Sequence, residues 1–166
     1  FSLYLCRMSF YNFSEDPDPR AEDEHYMRLA LLEAQKAFEA DEIPIGAIVV
    51  CKGRIVGRGY NLTEQLNDVT AHAEMQAFTA ASQTLGGKYL KECCLYVTIE
   101  PCVMCAGASY WTQIGRLVYG AAEVKRGFSN HGNQILHPKT VLKSGVLEAE
   151  CASLIRKFFA NKRDKL

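Results

Sequence analysis

Two short stretches of the chain hold residues able to do metal and proton chemistry: TAHAEMQA (70–77) and EPCVMC (100–105). In the first, His72 and Glu74 stand two positions apart just before an Ala-rich run, a spacing at which side chains do not share one face of a regular helix. In the second, Cys102 and Cys105 are three apart, directly after Pro101. Proline suits the first turn of a helix, where its missing N–H would have had no partner. A helix predicted to open at Pro101 places both cysteines on one face, near the positive end of the dipole, which lowers thiol pKa and favours thiolates. Two thiolates and an imidazole make a sound ligand set for zinc. At the very start of its own helix, His72 is released from mid-helix geometry. It and Glu74 can then reach one site beyond the helix end, His72 as a ligand and Glu74 unliganded beside it.

The charges fit a catalytic division of labour. A zinc ion, two thiolates and a neutral imidazole sum to zero, so the metal is a moderate Lewis acid and water at the fourth position needs a nearby base. Glu74 is placed to take that proton and to shuttle protons to a ring nitrogen and a leaving amine. That is hydrolytic deamination, with one zinc per subunit held by His72, Cys102 and Cys105, and Glu74 as the catalytic group. Taken singly, each motif has a blander reading: C-x-x-C as a redox pair or half of a structural zinc site, His72 as a cap or surface group. A structural site needs a fourth Cys or His, and Cys93, Cys94, His131 and His137 have no matching spacing. It is the combination that selects the catalytic reading.

The elements that must position these groups are legible in the hydrophobic pattern. Residues 1–21 end in SEDPDPRA and read as a flexible lead-in; residues 22–166 read as one domain. Met27, Leu31, Ala34 and Phe38 recur at helical spacing from about Glu22, with Glu22, Asp23 and Glu24 near the positive helix start, and this helix is predicted to stop near Asp41. IGAIVVC (45–51) and RIVGRGY (54–60) read as strands joined by a two-residue turn at Lys52-Gly53. A helix from about His72 to Leu85 ends at Gly86-Gly87. CLYVT (94–98) and GRLVYG (115–120) are strands on either side of the helix opened by Pro101, which implies a parallel crossover. VLKSGV (141–146) contains a short strand, and a last helix runs from Leu147 to about Ala160. Trp111 and most Tyr and Phe residues read as core. The fold class is α/β, a mixed sheet flanked by helices.

Composition excludes several classes. The 166 residues are 48% hydrophobic and 23% charged, as for a globular domain, and the formal charge of +0 leaves no global field to draw in nucleic acid or membrane. No apolar run approaches the roughly 18 residues of a membrane helix, and the first ten residues lack the features of a secretory signal. Phe1 is an unusual start, and Met8 is the expected initiator. Seven cysteines, with Cys93 and Cys94 adjacent, do not read as a disulfide framework; a reduced, cytoplasmic setting is expected. Any attraction to RNA must be local. The tail offers Arg156, Lys157, Lys162, Arg163 and Lys165 beside Phe158-Phe159, against the ordinary reading of a solvated face over two core Phe residues. Lys125-Arg126 is a second basic spot.

The H-x-E and P-C-x-x-C pair is the signature of zinc nucleobase deaminases. The chain resembles the bacterial tRNA-specific adenosine deaminases of the cytidine-deaminase-like superfamily from roughly Glu24 to Arg163, through MRLALLEAQKA, IPIGAIVV, GRGYN, TAHAEM, LYVTIEPCVMCAGA, IGRLVYGA and ECASLIRKFF. The resemblance implies a three-layer α/β/α sandwich around a five-stranded mixed sheet. It matches His72, Cys102 and Cys105 to zinc ligands, Glu74 to the proton shuttle, and Asn61 to a side chain that hydrogen-bonds the target base. It further implies a homodimer that converts the wobble adenosine of a tRNA anticodon loop to inosine, with Lys162 and Arg163 as candidate RNA contacts. Tyr110-Trp111 looks more like the related guanine deaminases, Ala122-Glu123 replaces a common Arg-Asp, and the stretch after His137-Pro138 is short. The alternative is therefore a deaminase of a free base or nucleoside of the guanine, cytosine or cytidine type. A zinc-stabilised RNA-binding module without catalysis is disfavoured, because a structural site has no use for an unliganded Glu74.

Overall fold

Alternation along the strands sorts the core into two halves. In β1 (Gly46–Cys51), Ala47 and Val49 face one side and Ile48 and Val50 the other. The same alternation separates Leu95 and Val97 from Tyr96 in β3 (Cys93–Ile99), and Leu117 and Tyr119 from Val118 in β4 (Arg116–Ala121). A sheet apolar on both faces must be covered on both. Helices α2 (Ala73–Leu85) and α3 (Val103–Thr112) cover one face, and α1 (Pro19–Glu39) and α4 (Glu148–Arg163) the other. With β2 (Arg54–Tyr60) and β5 (Val141–Lys143), the five strands are ordered β2-β1-β3-β4-β5. β1 is antiparallel to β2 and β3, and β3, β4 and β5 run parallel. The computed structural model describes residues 18–164, and they form the expected three-layer sandwich. Among them no helix is long and apolar enough to cross a membrane.

Several boundaries differ from the sequence expectation. The first helix opens at Pro19 rather than Glu22, with the Asp18 side chain accepting from the Arg20 N–H; Asp-Pro is here a cap and first turn, not part of a lead-in. The rest of that lead-in, residues 1–17, lies outside the described residues. Asp23 is not a dipole partner at the surface but is wholly buried. α3 opens at Val103, so Pro101 precedes the cap rather than the first turn. α4 continues past Ala160 to Arg163, its last turn carrying Lys162 and Arg163 where cations favour the helix end. Trp111 is 77% exposed and Phe159 44% exposed, so neither is core, whereas Phe158 is. The Lys52-Gly53 turn forms as expected, with positive φ at both residues, 50° and 73°.

One packing contact fixes the site's geometry. Gly57 and Gly59 of β2 lie against the backbone of α2, where a Cβ at Gly59 would collide with the Ala73 carbonyl oxygen and stand 2.7 Å from the Ala77 nitrogen. Facing them, α2 presents Ala73, Ala77 and Ala81, all fully buried. Small residues on both sides let the helix sit directly on the strand, so its first turn is anchored to the end of β2.

Candidate active site

α3 begins shortly after β3 ends, the start of α2 packs against the end of β2, and the first residues of the two helices meet. His72 caps α2 and Cys102 caps α3, each with extended backbone (φ −70°, ψ 157° and φ −73°, ψ 172°). His72 makes no side-chain capping bond; its Nδ1 instead lies 3.6 Å from Cys102 Sγ and 3.5 Å from Cys105 Sγ. Ligands on a tetrahedral zinc with Zn–N near 2.0–2.1 Å and Zn–S near 2.3 Å stand about 3.6 Å apart. The observed N···S separations thus fit zinc, and the three donor atoms lie within 4.8 Å of one another. His72, Cys102 and Cys105 form the only such group of His, Cys, Asp and Glu among the described residues. Because Cys102 is the cap and Cys105 sits inside the first turn, the sulfurs converge from the end of α3 rather than from one helical face.

The electrostatics suit a metal centre. The Cys105 thiol beside it holds Cys102 down at about 4, with His72 contributing in the same direction. Cys105 is pushed up by its bond to Cys102 and keeps its proton. His72 is raised by its contact with Cys102. A dication must displace the Cys105 proton to bind, which makes metal uptake pH-dependent. Glu74, in the first turn of α2, is 3% exposed. Burial pushes its carboxyl up to about 7.

The other expected residues are distributed around this centre. Asn61 follows β2 and is buried; the N–H of the next residue, Leu62, bonds to the Ala71 carbonyl, which directly precedes His72. Asn61 therefore stands at the rim of the metal centre. Its Nδ2 donates to Glu42 Oε2 and to Thr63 Oγ1, each at 3.0 Å. Lys125 and Arg126 are exposed on the loop after β4. That loop lies against Cys102, since Gly127 forms a bridge with Cys102 and the Phe128 N–H bonds to the Pro101 carbonyl. Lys162 and Arg163 are not part of the cluster: they end α4, on the opposite face of the sheet from α2 and α3. Lys162 is paired with Asp41 at 2.6 Å, and Arg163 is exposed.

Two buried carboxylates that hold the neighbouring loops escaped the sequence reading. Glu42, after α1, is a fully buried carboxylate bonded to the loop after β2. Glu100, also buried, accepts from the N–H groups of Glu123 at 3.0 Å and Ser129 at 2.9 Å, holding the loop after β4 over Cys102. The one available signal for Glu100 was its place directly before Pro101-Cys102; Glu42 had none.

Comparison with known proteins agrees with this geometry. Residues 20–121 match the family described as the cytidine and deoxycytidylate deaminase zinc-binding region. The chain is 45% identical over 148 residues to a tRNA-specific adenosine deaminase of Agrobacterium fabrum, covering 86% of this chain and 97% of that protein. It is 39% identical to a tRNA-specific adenosine deaminase of Streptococcus pyogenes, covering 87% and 94%. A solved structure from a study of A-to-I editing by tRNA:A34 deaminases at the wobble position superposes with TM-score 0.73 at 43% identity, covering 78% of this chain and 98% of that one. A guanine deaminase from Nitrosomonas europaea superposes with TM-score 0.71 at 25% identity, covering 82% and 84%.

Proposed function

The chain belongs to the cytidine and deoxycytidylate deaminase zinc-binding family, and from that membership we propose that it hydrolyses adenosine to inosine at the wobble position of tRNA. The carrying observation for the chemistry is the three-donor cluster at zinc spacing with a buried Glu74 beside it. For the substrate, the tRNA-specific relatives favour RNA: the solved tRNA deaminase is 43% identical, against 25% and 36% for two guanine deaminases. That outweighs the guanine-like Tyr110-Trp111.

His72, Cys102 and Cys105 are the proposed ligands of one zinc per subunit. Zinc there supplies a Lewis acid that brings proton loss from water into the neutral range. Glu74 would take one proton of the attacking water on a carboxylate oxygen and pass it to a ring nitrogen, then take the second, from the hydroxyl newly formed on the ring carbon, and pass it to the departing amine. Adenosine and water become inosine and ammonia, with no other reactant. Burial raises this carboxyl above the ordinary carboxylate range, toward the range in which a group can both take and give a proton. Asn61, at the rim, is the proposed contact to the target nucleoside, and Lys125, Arg126, Lys162 and Arg163 the proposed contacts to the anticodon-loop backbone.

The protein is also proposed to act as a cytoplasmic homodimer. Support for a second copy comes from α3, which exposes Val103, Tyr110 and Trp111. Incubation with total tRNA, free bases and nucleosides, followed by nucleoside mass spectrometry, tests the function. Inosine in tRNA with free guanine and cytosine untouched is the expected result; turnover of free guanine with tRNA unchanged overturns it.

A further inference from the structure

Glu42 is a carboxylate with 0% exposure, at the junction between α1 and β1. A buried carboxylate is costly unless its oxygens are saturated with donors. Here the donors are all uncharged and all come from the segment after β2. Oε1 accepts from the Gln65 N–H at 2.8 Å and the Glu64 N–H at 3.0 Å; Oε2 accepts from Asn61 Nδ2 at 3.0 Å and Thr63 Oγ1 at 3.3 Å. Thr63 Oγ1 in turn accepts from Asn61 Nδ2 at 3.0 Å.

This circuit has only one consistent orientation. An ionised carboxylate accepts and never donates. The Asn61 amide must therefore turn its NH₂ to Glu42 and Thr63, which uses both N–H groups. Its Oδ1 belongs to neither bond and is the atom left to face a substrate. An amide that could otherwise present either end is reduced to an acceptor.

We propose that Glu42 is a positioning residue for the deamination: it locks Asn61 so that Oδ1 accepts a hydrogen bond from an N–H or O–H group of the target nucleoside. The inference rests on the assignment of Asn61 to substrate binding. Glu42 itself does not touch the substrate.

Glu42→Gln keeps the size of the side chain but replaces one acceptor oxygen by a donor, so one arm of the circuit must break. With tRNA as substrate, kcat/KM is expected to fall by about 10-fold or more, mostly through KM, the scale of one lost hydrogen bond to a substrate. Zinc content stays unchanged, and Glu42→Asp, still an acceptor only, recovers part of the loss. In an Asn61→Ala background, Glu42→Gln should add less than about twofold, because the residue through which it acts is gone. An equal loss in both backgrounds, or no loss in the wild-type background, overturns the proposal.

A second readout is independent of activity. In ¹⁵N NMR of the free protein, the Asn61 side-chain NH₂ protons should exchange slowly with water, and faster in Glu42→Gln. Equal exchange in both proteins, or fast exchange in the wild type, overturns the clamp. If no tRNA is deaminated, the functional reading fails while this measurement still decides the Glu42–Asn61 lock. If Glu42→Gln does not fold, Thr63→Val, which removes the acceptor for one Asn61 N–H, takes its place in both experiments.

Discussion

Glu74 brings a carboxyl into a site where burial raises it above the ordinary carboxylate range, which favours its holding a proton for part of the cycle. A group that first takes a proton and then returns it needs that property. Glu74→Gln keeps the shape and removes the exchangeable proton. Deamination is expected to fall by at least about 10²-fold, with zinc retained by elemental analysis because the three proposed ligands are untouched; full turnover in this variant would remove Glu74 from proton transfer. The metal-site residues were readable in the sequence for a local reason. His-x-Glu and Cys-x-x-Cys each sit within one turn of a helix start, where the extended cap residue turns its side chain toward the groups of the first turn. Glu42 and Glu100 were not readable, because each binds backbone N–H groups more than twenty residues away (separations of 22, 23 and 29 for Glu64, Gln65 and Ser129). Every residue but proline carries such a donor, so no side-chain pattern marks the partner.

At the scale of elements, the metal centre is only as well placed as the two helix starts that form it. α2 is held by its contact with Gly57 and Gly59, where a single added methyl has no room. Gly59→Ala is expected to push back the first turn of α2, which carries Glu74 and follows His72. Overpacking of this kind costs about 1–3 kcal/mol, to be read by urea unfolding, and zinc occupancy should fall with it. A variant of unchanged stability and full zinc content would show that the strand does not set the position of the helix. The strands and α2 were legible because their alternation and their turn residues agree with the tertiary structure. The start of α3 was displaced because Cys102 takes an extended cap conformation to aim its sulfur at His72, and the demands of the site override the preference of Pro101 for a first turn. The start of α1 was missed because two prolines among acidic residues were read as breakers, although Asp18-Pro19 is also a capping pair.

For the molecule as a whole, a formal charge of +0 means that RNA affinity rests on patches. Each phosphate contact to a single strand contributes roughly 0.7 to the log–log salt slope. Lys125→Ala with Arg126→Ala should flatten the slope of tRNA binding by about 1.4. Lys162→Ala should flatten it by less than about 0.7, since the pairing with Asp41 competes with a phosphate for that charge; no change at all would remove Lys162 from the RNA interface. Integrity of the whole fold is tied to a different carboxylate. Asp23 of α1, with its side chain 1% exposed, accepts from Tyr96 of β3 at 2.9 Å, from Arg116 of β4 at 2.6 and 2.7 Å, and from Lys143 of β5 at 2.6 Å. One group thus joins a helix to three strands, over separations of 73, 93 and 120 residues. Burial alone would raise its carboxyl, but the bonds from Arg116, Lys143 and Tyr96 outweigh it and hold the group at about 2, against an ordinary 3.8. A folded-state value below the unfolded one stabilises the protein fully above the unfolded value, and the stabilisation fades as pH falls from about 4 through 2. The linked part amounts to about 2 kcal/mol. Acid also strips zinc from thiolates and imidazole, so the test is a difference: urea unfolding of wild type and Asp23→Asn, side by side, from pH 7 to pH 2. Loss of metal affects both proteins alike and cancels. The wild type should be more stable by about 3 kcal/mol at pH 7, as for removal of one partner of a buried ion pair, and most of that gap should close by pH 2. A gap that stays constant across the range would mean that Asp23 is not held as a charged carboxylate in the folded protein.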